Sequence, residues 1–273
     1  NPYGKSKLEA ESILRRYSLE SGAPVGIYRL PNVFGKWCKP NYNSVVATFA
    51  HNIANDLPIQ INDSTYELRL VYIDDLVTNF INVSKESFSG VVEFNVDPEY
   101  RISIGDLAAQ MSAFSECRDS LVVEPVGTGL TRALYSTYVS YLPVSGFAYS
   151  VERHEVSRGV FVEMLKTKDS GQFSFFTAHP GITRGGHYHN STTEKFLVIK
   201  GTARFGFRQI ISNQTYEITV SGEKSQIVET IPGWTHDITN IGDEELLVML
   251  WANEIFDRET PDTINCKVDH EKA

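Results

Sequence analysis

The apolar pattern changes once along this chain, and that change limits the fold more than any other feature of the sequence. Up to about residue 145, short apolar segments typical of buried strands alternate with amphipathic segments of helical period. This alternation predicts a parallel sheet with helices on its faces. Beyond about Ser145, short alternating segments follow one another between turn residues, which predicts an antiparallel sandwich or barrel. A length of 273 residues fits about two domains.

Residue types predict the starts of two helices and the end of the first part of the chain. Asp74 or Asp75 is predicted to cap a helix, and Ser103 with Asp106 resembles a capping box. The stretch 134–143, rich in Tyr and Ser, is predicted to be the junction between the two domains. The predicted strands of the second part are 159–165, 172–177, 195–199, 203–208, 215–220 and 246–251.

Composition excludes several kinds of partner. The formal net charge of -9 argues against nucleic acid and against an anionic membrane surface, since both need an excess of positive charge. Three cysteines, Cys38, Cys117 and Cys266, are widely spaced and odd in number, which favours a reducing compartment over a disulfide framework. No segment approaches the roughly 20 apolar residues of a membrane helix, and no signal segment opens the chain. We therefore expect a cytoplasmic location.

The strongest chemical signal lies in the second part and consists of three histidines and one glutamate. His187 and His189 are two apart, so on a strand both imidazoles point to the same face. Glu194 starts the next predicted strand, and a short turn can return its carboxylate beside them. His236 would offer a fourth ligand if its strand paired alongside. A single histidine is more often solvated than a ligand, but this set favours a site for zinc, iron, manganese or nickel.

The glycines around these residues complete a familiar order. The segments read Gly181, five residues, His187-x-His189, four residues, Glu194, six residues, Gly201, and later Gly233-x-x-His236-x-x-x-Asn240. This order resembles both halves of the cupin motif, except that Pro232 directly adjoins the glycine where the usual motif spaces them by one residue. The resemblance implies an all-β cupin domain, a double-stranded β-helix barrel. It implies one divalent metal, zinc in the first place, with the ligands His187, His189, Glu194 and His236, and a barrel lining of Phe196, Val198, Met249 and Trp251.

A tyrosine and a lysine open the first predicted helix. Tyr3 and Lys7 are four residues apart and therefore lie on one helix face. An ammonium beside a phenol favours the anionic form, so such a pair can exchange a proton near neutral pH. The bare Tyr-x-x-x-Lys pattern is common by chance and does not by itself indicate a catalytic site.

The residues around this pair and three later segments change this interpretation. They are Asn1-Pro-Tyr-Gly-Lys-Ser-Lys7, Arg29-Leu-Pro-Asn-Val-Phe-Gly35, Val71-Tyr-Ile-Asp-Asp75 and Phe94-Asn-Val96. This series resembles the C-terminal part of extended short-chain dehydrogenases that act on nucleotide sugars. The resemblance implies that Tyr3 is the general acid for carbonyl reduction and that Lys7 holds the nicotinamide ribose. It also implies that Tyr3, Lys7 and Pro31 bind the cofactor and that Asn32 faces the sugar nucleotide.

Two features depart from that family. Leu68 stands where an arginine is common, and Arg69 beside it would point to the other face. No glycine-rich turn precedes Tyr3, so a pyrophosphate cradle is not encoded here. We therefore expect an α/β Rossmann-like domain over residues 1–141 that is truncated and lacks its N-terminal nucleotide-binding half, followed by the cupin domain over residues 142–273. The complete protein is expected to bind NADPH.

The pairing of a short-chain dehydrogenase with a cupin is uncommon and resembles bifunctional enzymes of capsular polysaccharide synthesis. Residues 33–44 and 251–256 add to that resemblance. It implies that the cupin domain epimerises C3 of a UDP-4-keto-6-deoxy-N-acetylhexosamine. The dehydrogenase domain would then reduce the C4 ketone with NADPH, towards UDP-N-acetyl-L-fucosamine. Analogy with both families implies a homodimer.

Two other interpretations stay open. The cupin can be a metal-dependent oxygenase or isomerase of a small molecule. It can also be a non-catalytic dimerisation or sugar-binding module on a reductase, since four protein ligands leave tetrahedral zinc no open position. His179 and Lys195 are weak candidates for proton transfer, and a solvated surface role is the simpler interpretation of each.

Overall fold

A computed structural model describes residues 2–268, and within them the chain forms two compact units. The first unit runs to Ser115 and resumes over Pro125–Phe147, while the second comprises Glu116–Glu124 and the chain from Ala148 onward. The first is mixed α/β and the second is rich in strands, as the change of apolar pattern predicts. The division at residue 141 stays a prediction.

The elements are numbered along the chain. The helices are α1 (Pro2–Ser21), α2 (Val45–Ala54), α3 (Ile73–Val83), α4 (Ile104–Ser120) and α5 (Gly129–Val139). The strands are β1 (Val25–Tyr28), β2 (Asn32–Phe34), β3 (Glu67–Tyr72), β4 (Val91–Phe94), β5 (Tyr100–Ser103), β6 (Val122–Val123), β7 (Arg153–Val156), β8 (Gly159–Thr167), β9 (Gly171–Ala178), β10 (Thr183–Tyr188), β11 (Glu194–Lys200), β12 (Thr202–Gln209), β13 (Thr215–Ser221), β14 (Ile227–Glu229), β15 (Trp234–Asn240), β16 (Leu246–Ala252) and β17 (Ile264–Asn265). No helix within residues 2–268 combines the length and the apolar character needed to cross a bilayer.

Two small sheets organise the first unit. β1 pairs in parallel with β4, and β2 pairs in parallel with β3, which also pairs antiparallel with β5. Apolar side chains of β3 enter a core shared with α2, α4 and α5. Leu70, Leu107 and Leu134, from β3, α4 and α5, are fully buried there. The parallel pairing expected from the alternating pattern is therefore present, with one antiparallel strand added.

The helix starts confirm one predicted cap and contradict another. Ser103 Oγ accepts a hydrogen bond from the Asp106 N–H at 3.0 Å and donates one to the Asp106 carboxylate at 2.7 Å. Neither Asp74 nor Asp75 caps α3, because the helix begins at Ile73 and both residues lie in its first turn. Their negative charges there favour the positive end of the helix dipole instead.

Residues 134–139 of the predicted junction at 134–143 belong to α5, so this part of it is a helix and not a linker. Leu134 and Tyr138 are 0% and 2% exposed and belong to the core of the first unit. Four residues apart, they lie on the same face of the helix. The Tyr- and Ser-rich composition is misleading here, since Tyr138 packs as an apolar residue and Thr137 Oγ1 donates to the Ala133 carbonyl within the helix.

Two sheets enclose the core of the second unit. One has the strand order β13-β12-β15-β10-β17 and the other β14-β11-β16-β9-β8-β6, with β7 also paired to β8. Neighbouring strands are antiparallel except for the parallel pair of β6 and β8. Both sheets contribute to one apolar cluster, with Phe205 and Ile238 from the first sheet and Phe196 and Val248 from the second.

The predicted lining residues are right on β11 and wrong on β16. Phe196 and Val198 are buried in the core, but Met249 and Trp251 are not among its members, and Val248 takes part instead. Every residue of β16 is apolar, so no polar residue marks which alternate positions face inward.

Replacing a core leucine of α5 tests its position. Leu134→Ala should lower the free energy of unfolding by about 2–5 kcal/mol, because it removes apolar contacts and leaves a cavity. Denaturant unfolding followed by circular dichroism measures this loss. Leu19→Ala is the matched control, since Leu19 is 86% exposed and its truncation should cost no more than about 0.5 kcal/mol. Equal losses in the two variants would contradict the packing of α5 in the core.

Candidate metal centre

A β-bulge in β10 determines where the first histidine lies. Gly185 pairs with Asp237 of β15, and the register then shifts by one residue so that His187 lies opposite His236. Gly186 is the extra residue, and its φ of 84° lies in the left-handed region that glycine adopts without strain. The imidazoles of His187 and His236 are consequently neighbours, with ring centroids 4.6 Å apart.

One carboxylate oxygen joins the other two imidazoles. Glu194 Oε2 lies 3.3 Å from His189 Nε2 and 3.1 Å from His236 Nε2. These side chains are nearly buried, with 12% of Glu194 and 6% of each imidazole exposed. His189 directly follows β10 and Glu194 begins β11, so the short connection between the two strands brings both residues to the same end.

The four predicted ligands converge on one point. One donor atom from each of His187, His189, Glu194 and His236 lies within 4.8 Å of every other. Zinc binds histidine nitrogen and carboxylate oxygen at about 2.0–2.2 Å, so small side-chain rotations bring the donors into its range. His236 Nδ1 is buried without a hydrogen-bond partner in the part of the chain that the structure describes. The donor set and its spacing therefore fit a divalent ion.

Burial and mutual contacts set the protonation of these groups. Burial, together with the neighbouring His236, lowers the pKa of His187 to about 4. Burial alone would raise the pKa of Glu194, but hydrogen bonds from His189 and His236 outweigh it and bring that pKa to about 2. Burial would lower the pKa of His189, but its contacts with Glu194 and the Asp262 carbonyl raise it. At neutral pH the site thus contains a neutral His187 and an ionised Glu194, the forms that bind metal.

Asp262, which no motif in the sequence marks, orients His189. Its backbone carbonyl accepts a hydrogen bond from His189 Nδ1, so that Nε2 faces Glu194. Metal-binding histidines usually donate their second N–H in this way, which fixes the ring. The Asp262 carboxylate accepts backbone N–H bonds of 2.8–2.9 Å from residues 190–192. Desolvation opposes their effect, but these bonds hold the pKa of the Asp262 carboxyl well below its usual range.

Tyr3 and Lys7 lie on one exposed face of α1. Tyr3 is 68% exposed, and Lys7 Nζ is 5.4 Å from the centre of its ring. Glu11 follows on the same face and accepts two N–H···O bonds of 3.1 and 2.8 Å from Arg29. Arg29 follows β1 and precedes Pro31 by two residues, so this ion pair ties the segment that leads into Pro31 to this face of α1.

The other two predicted residues of the first unit lie on the segment between β1 and β2. Pro31 is half-buried in the connecting loop, and Asn32 is the exposed first residue of β2. Asn32 Nδ2 donates to the Arg69 carbonyl at 3.2 Å. Among residues 2–268 no hydrogen bond joins Asn32 to Tyr3 or Lys7, so the structure does not bring these residues together as it does the four metal donors.

Neither weak candidate for proton transfer faces the four donors. Lys195 pairs with Glu229 on the strand face opposite to Glu194. The His179 side chain is 53% exposed and lies 3.6 Å from Glu245. Both side chains therefore have the surface role that the sequence favours.

Comparison with known proteins identifies related families and sequences. Residues 154–264 match the family model of the polysaccharide biosynthesis C-terminal domain, and residues 1–96 match that of the NAD dependent epimerase/dehydratase family. The chain is 62% identical over 268 residues to UDP-2-acetamido-2,6-beta-L-arabino-hexul-4-ose reductase of Pseudomonas aeruginosa, covering 98% of this chain and 72% of the relative. It is 29% identical over 112 residues to dTDP-D-glucose 4,6-dehydratase of Homo sapiens, and this match covers 41% of this chain and 31% of the relative.

Solved structures extend this similarity to the fold. The capsular polysaccharide assembling protein CapF of Staphylococcus aureus is 41% identical, with a TM-score of 0.91 over 98% of this chain and 73% of that one. A structure of CapF with the inhibitor 3-isopropenyl-tropolone is 40% identical, with a TM-score of 0.87 over 94% of this chain and 75% of that one. The four metal donors fall within the first matched range, 154–264, and Tyr3 and Lys7 fall within the second, 1–96.

A glycine substitution tests the bulge. Gly186→Ala should weaken zinc binding by about tenfold or more, because an L-residue resists the left-handed conformation that sets His187 opposite His236. Gly181→Ala is the matched control, since Gly181 has a φ of 76° and an added Cβ meets nothing within 4 Å at either site. Both variants should lose about 1–2 kcal/mol of stability. Titration against a chromophoric chelator measures zinc affinity, and equal affinities in the two variants would contradict the role of the bulge.

The contacts of the Asp262 carboxylate predict how the stability of the fold depends on pH. Asp262→Asn keeps the backbone carbonyl but removes the charge, and it should lower the free energy of unfolding at pH 7 by about 1.5–3 kcal/mol. Because the folded pKa is depressed, this stabilisation is complete above the unfolded value of about 3.9 and is lost as the pH falls through the folded value. The free energies of unfolding of the wild type and of Asp262→Asn, measured with urea from pH 7 to pH 3, should therefore differ by a constant amount, and this difference should narrow only below about pH 4.

The control for this measurement is Asp243→Asn, because Asp243 is exposed and its change should leave stability nearly unaltered at every pH. If Asp262→Asn and the wild type already had the same free energy of unfolding near pH 6, this would contradict a depressed pKa of Asp262.

Proposed function

Because the chain belongs to the family of CapF-type capsular polysaccharide enzymes, we propose that it acts on a UDP-linked sugar in capsule biosynthesis. In this proposal the second unit is a cupin barrel that epimerises C3 of a UDP-4-keto-6-deoxy-N-acetylhexosamine. The first unit reduces the C4 ketone with NADPH, towards UDP-N-acetyl-L-fucosamine. A relative that is 62% identical and is named as a UDP-sugar reductase supports the substrate class.

The convergence of four metal donors is the observation that supports the epimerase part. Three imidazoles and one carboxylate meet within 4.8 Å of one another, and zinc is the ion that this donor set fits first. When bound, the ion would polarise a carbonyl oxygen of the substrate.

Epimerisation at C3 requires a proton to leave one face of the sugar and to return on the other. A ketone at C4 makes the C3 proton acidic, because the negative charge left behind spreads onto the carbonyl oxygen. The chain's own contribution is to hold the donors in place before substrate arrives. His187 stays neutral, since its pKa is about 4, and the low exposure of His189 and His236 keeps bulk water from the ligand atoms. Such preorganisation strengthens electrostatic stabilisation of developing charge.

The reductase part rests on the Tyr3–Lys7 pair. When bound, NADPH supplies a hydride to C4. Tyr3 then gives a proton to the C4 oxygen, so that the ketone gains a hydride at carbon and a proton at oxygen. Lys7 Nζ lies 5.4 Å from the centre of the Tyr3 ring, on the same face of α1. Tyr3, Lys7 and Pro31 would hold the cofactor, and Asn32 would face the sugar nucleotide.

A second candidate function follows from the same four donors. Four protein ligands complete a tetrahedral zinc site, and zinc without an open position is structural. In this alternative the metal only stabilises the second unit, which serves as a dimerisation or sugar-binding module attached to the reductase.

The remaining parts of the proposal follow the family analogies. The two activities divide at about residue 141, and the protein works as a homodimer in the cytoplasm. Its formal net charge of -9 gives no support to a nucleic-acid partner.

Hydrogen exchange at C3 tests the epimerase part without NADPH. The UDP-linked 4-keto sugar is incubated with the chain in D2O, and deuterium at C3 is read by mass spectrometry. The wild type should incorporate deuterium and contain zinc by elemental analysis. His187→Ala should lose the bound zinc and slow the exchange at least about 100-fold, more than loss of an outer-shell partner costs. Tyr3→Phe is the matched control, because it removes only the hydroxyl group that acts in reduction and should leave exchange unchanged.

The outcomes separate the two candidate functions. Exchange at the wild-type rate in His187→Ala, with zinc absent, would favour the structural alternative. No exchange in the zinc-loaded wild type would contradict epimerisation. Glu194→Gln, which preserves side-chain volume, provides a second variant, and thermal unfolding shows whether each variant is folded.

A further inference from the structure

The loop of residues 35–44, between β2 and α2, holds a bulky residue in a strained conformation. Trp37 has a φ of 66°, which lies in the left-handed region that bulky side chains avoid. Such strain persists only where the surrounding structure enforces it, often at ligand sites. Asn41 in the same loop also has a positive φ of 54°, but asparagine tolerates that conformation. Trp37 is therefore the residue whose conformation needs an explanation.

Contacts on both sides of Trp37 hold this loop in place. Lys36 Nζ lies 2.6 Å and 2.9 Å from the two carboxylate oxygens of Asp74. The Tyr141 hydroxyl donates to the Cys38 carbonyl. The Lys36 side chain before Trp37 and the Cys38 carbonyl after it are thus bonded to residues of α3 and of the segment after α5.

The anchored loop presents its aromatic rings to solvent. Trp37 is 87% exposed and Tyr42 is 80% exposed. Lys36 Nζ lies 5.4 Å from the centre of the Trp37 ring, and Lys39 Nζ lies 5.4 Å from that of Tyr42. Within residues 2–268 no carboxylate forms an ion pair with Lys39, whereas Lys36 is paired with Asp74. The loop therefore combines an open indole face with a cation that has no acidic partner.

These features match a small anionic ligand with a planar ring better than a protein surface. A buried Trp covers only about 150–250 Å², whereas a specific protein interface needs about 1,000 Å² or more. Aromatic faces with nearby cations are the usual platform for nucleotide bases. Trp37 is five residues from Asn32, a span of at most about 18 Å, which is comparable to an extended nucleotide sugar.

We propose that Trp37 stacks on the uracil ring of the UDP-linked substrate while Lys39 faces the diphosphate. This inference rests on the proposed function, because it assigns the part of the site that holds the nucleotide. It makes Trp37 a binding residue, and its ring, 87% exposed, is accessible to a ligand.

Titration with UDP alone tests this assignment by calorimetry on the whole chain. Trp37→Asn should weaken UDP binding by about 5- to 150-fold, the loss expected for one base–aromatic stack, while Trp37→Phe should retain most of the affinity. Trp37→Asn should also raise the Tm by about 2–4 °C, because asparagine relieves the left-handed strain. Tyr66→Asn is the matched control, since Tyr66 is an exposed aromatic residue of the same unit, 59% exposed, without a positive φ.

Each outcome decides the inference. Equal UDP affinity in the wild type and Trp37→Asn, or no UDP binding by the wild type, would overturn it, while continued C3 exchange would leave the proposed function intact. A change in oligomeric state by light scattering in Trp37→Asn would assign the ring to a second copy of the chain. A lower Tm in Trp37→Asn with unchanged UDP affinity would indicate a purely structural role.

Discussion

The pairing of β10 with β15, with its shift of one residue, is the constraint on which the metal centre depends. Paired residues of neighbouring strands face the same side, so an unshifted ladder would put Thr235 rather than His236 opposite His187. The bulge brings the two imidazoles together through backbone hydrogen bonds alone. Glu194 then completes a set of donors that needs only small movements to accept an ion. The sheet therefore supplies the geometry of the four donors, and a bound ion would supply positive charge.

The four donors could be predicted from the sequence because their geometry is mostly local. His187 and His189 lie at one strand end, Glu194 begins the next strand, and glycines mark the turns between them. Asp262 could not be predicted, since 73 positions separate it from His189. It orients the imidazole through its backbone carbonyl, which any residue type could provide. Sequence spacing therefore identifies the donors but misses the group that orients one of them.

Sequence patterns also fail to predict which way some apolar segments of the fold face. Alternation of apolar and polar residues identifies most strands of the second unit, and helical spacing identifies α1 through α4. β16 is apolar throughout, so its inward face depends on pairing with β9 and β11 rather than on its own residues. α5 is missed because tyrosine and serine are common in loops, although Tyr138 is almost completely buried. Long-range packing, which one chain segment does not encode, decides both cases.

The position of Asp262 also has a consequence for biosynthesis. β17 begins two residues after it and pairs with β10 at His187, so the residue that orients His189 is synthesised after all three histidines. A nascent chain carrying all three imidazoles still lacks the carbonyl that locks one of them. The four donors can therefore reach the described geometry only after residue 262 has been synthesised.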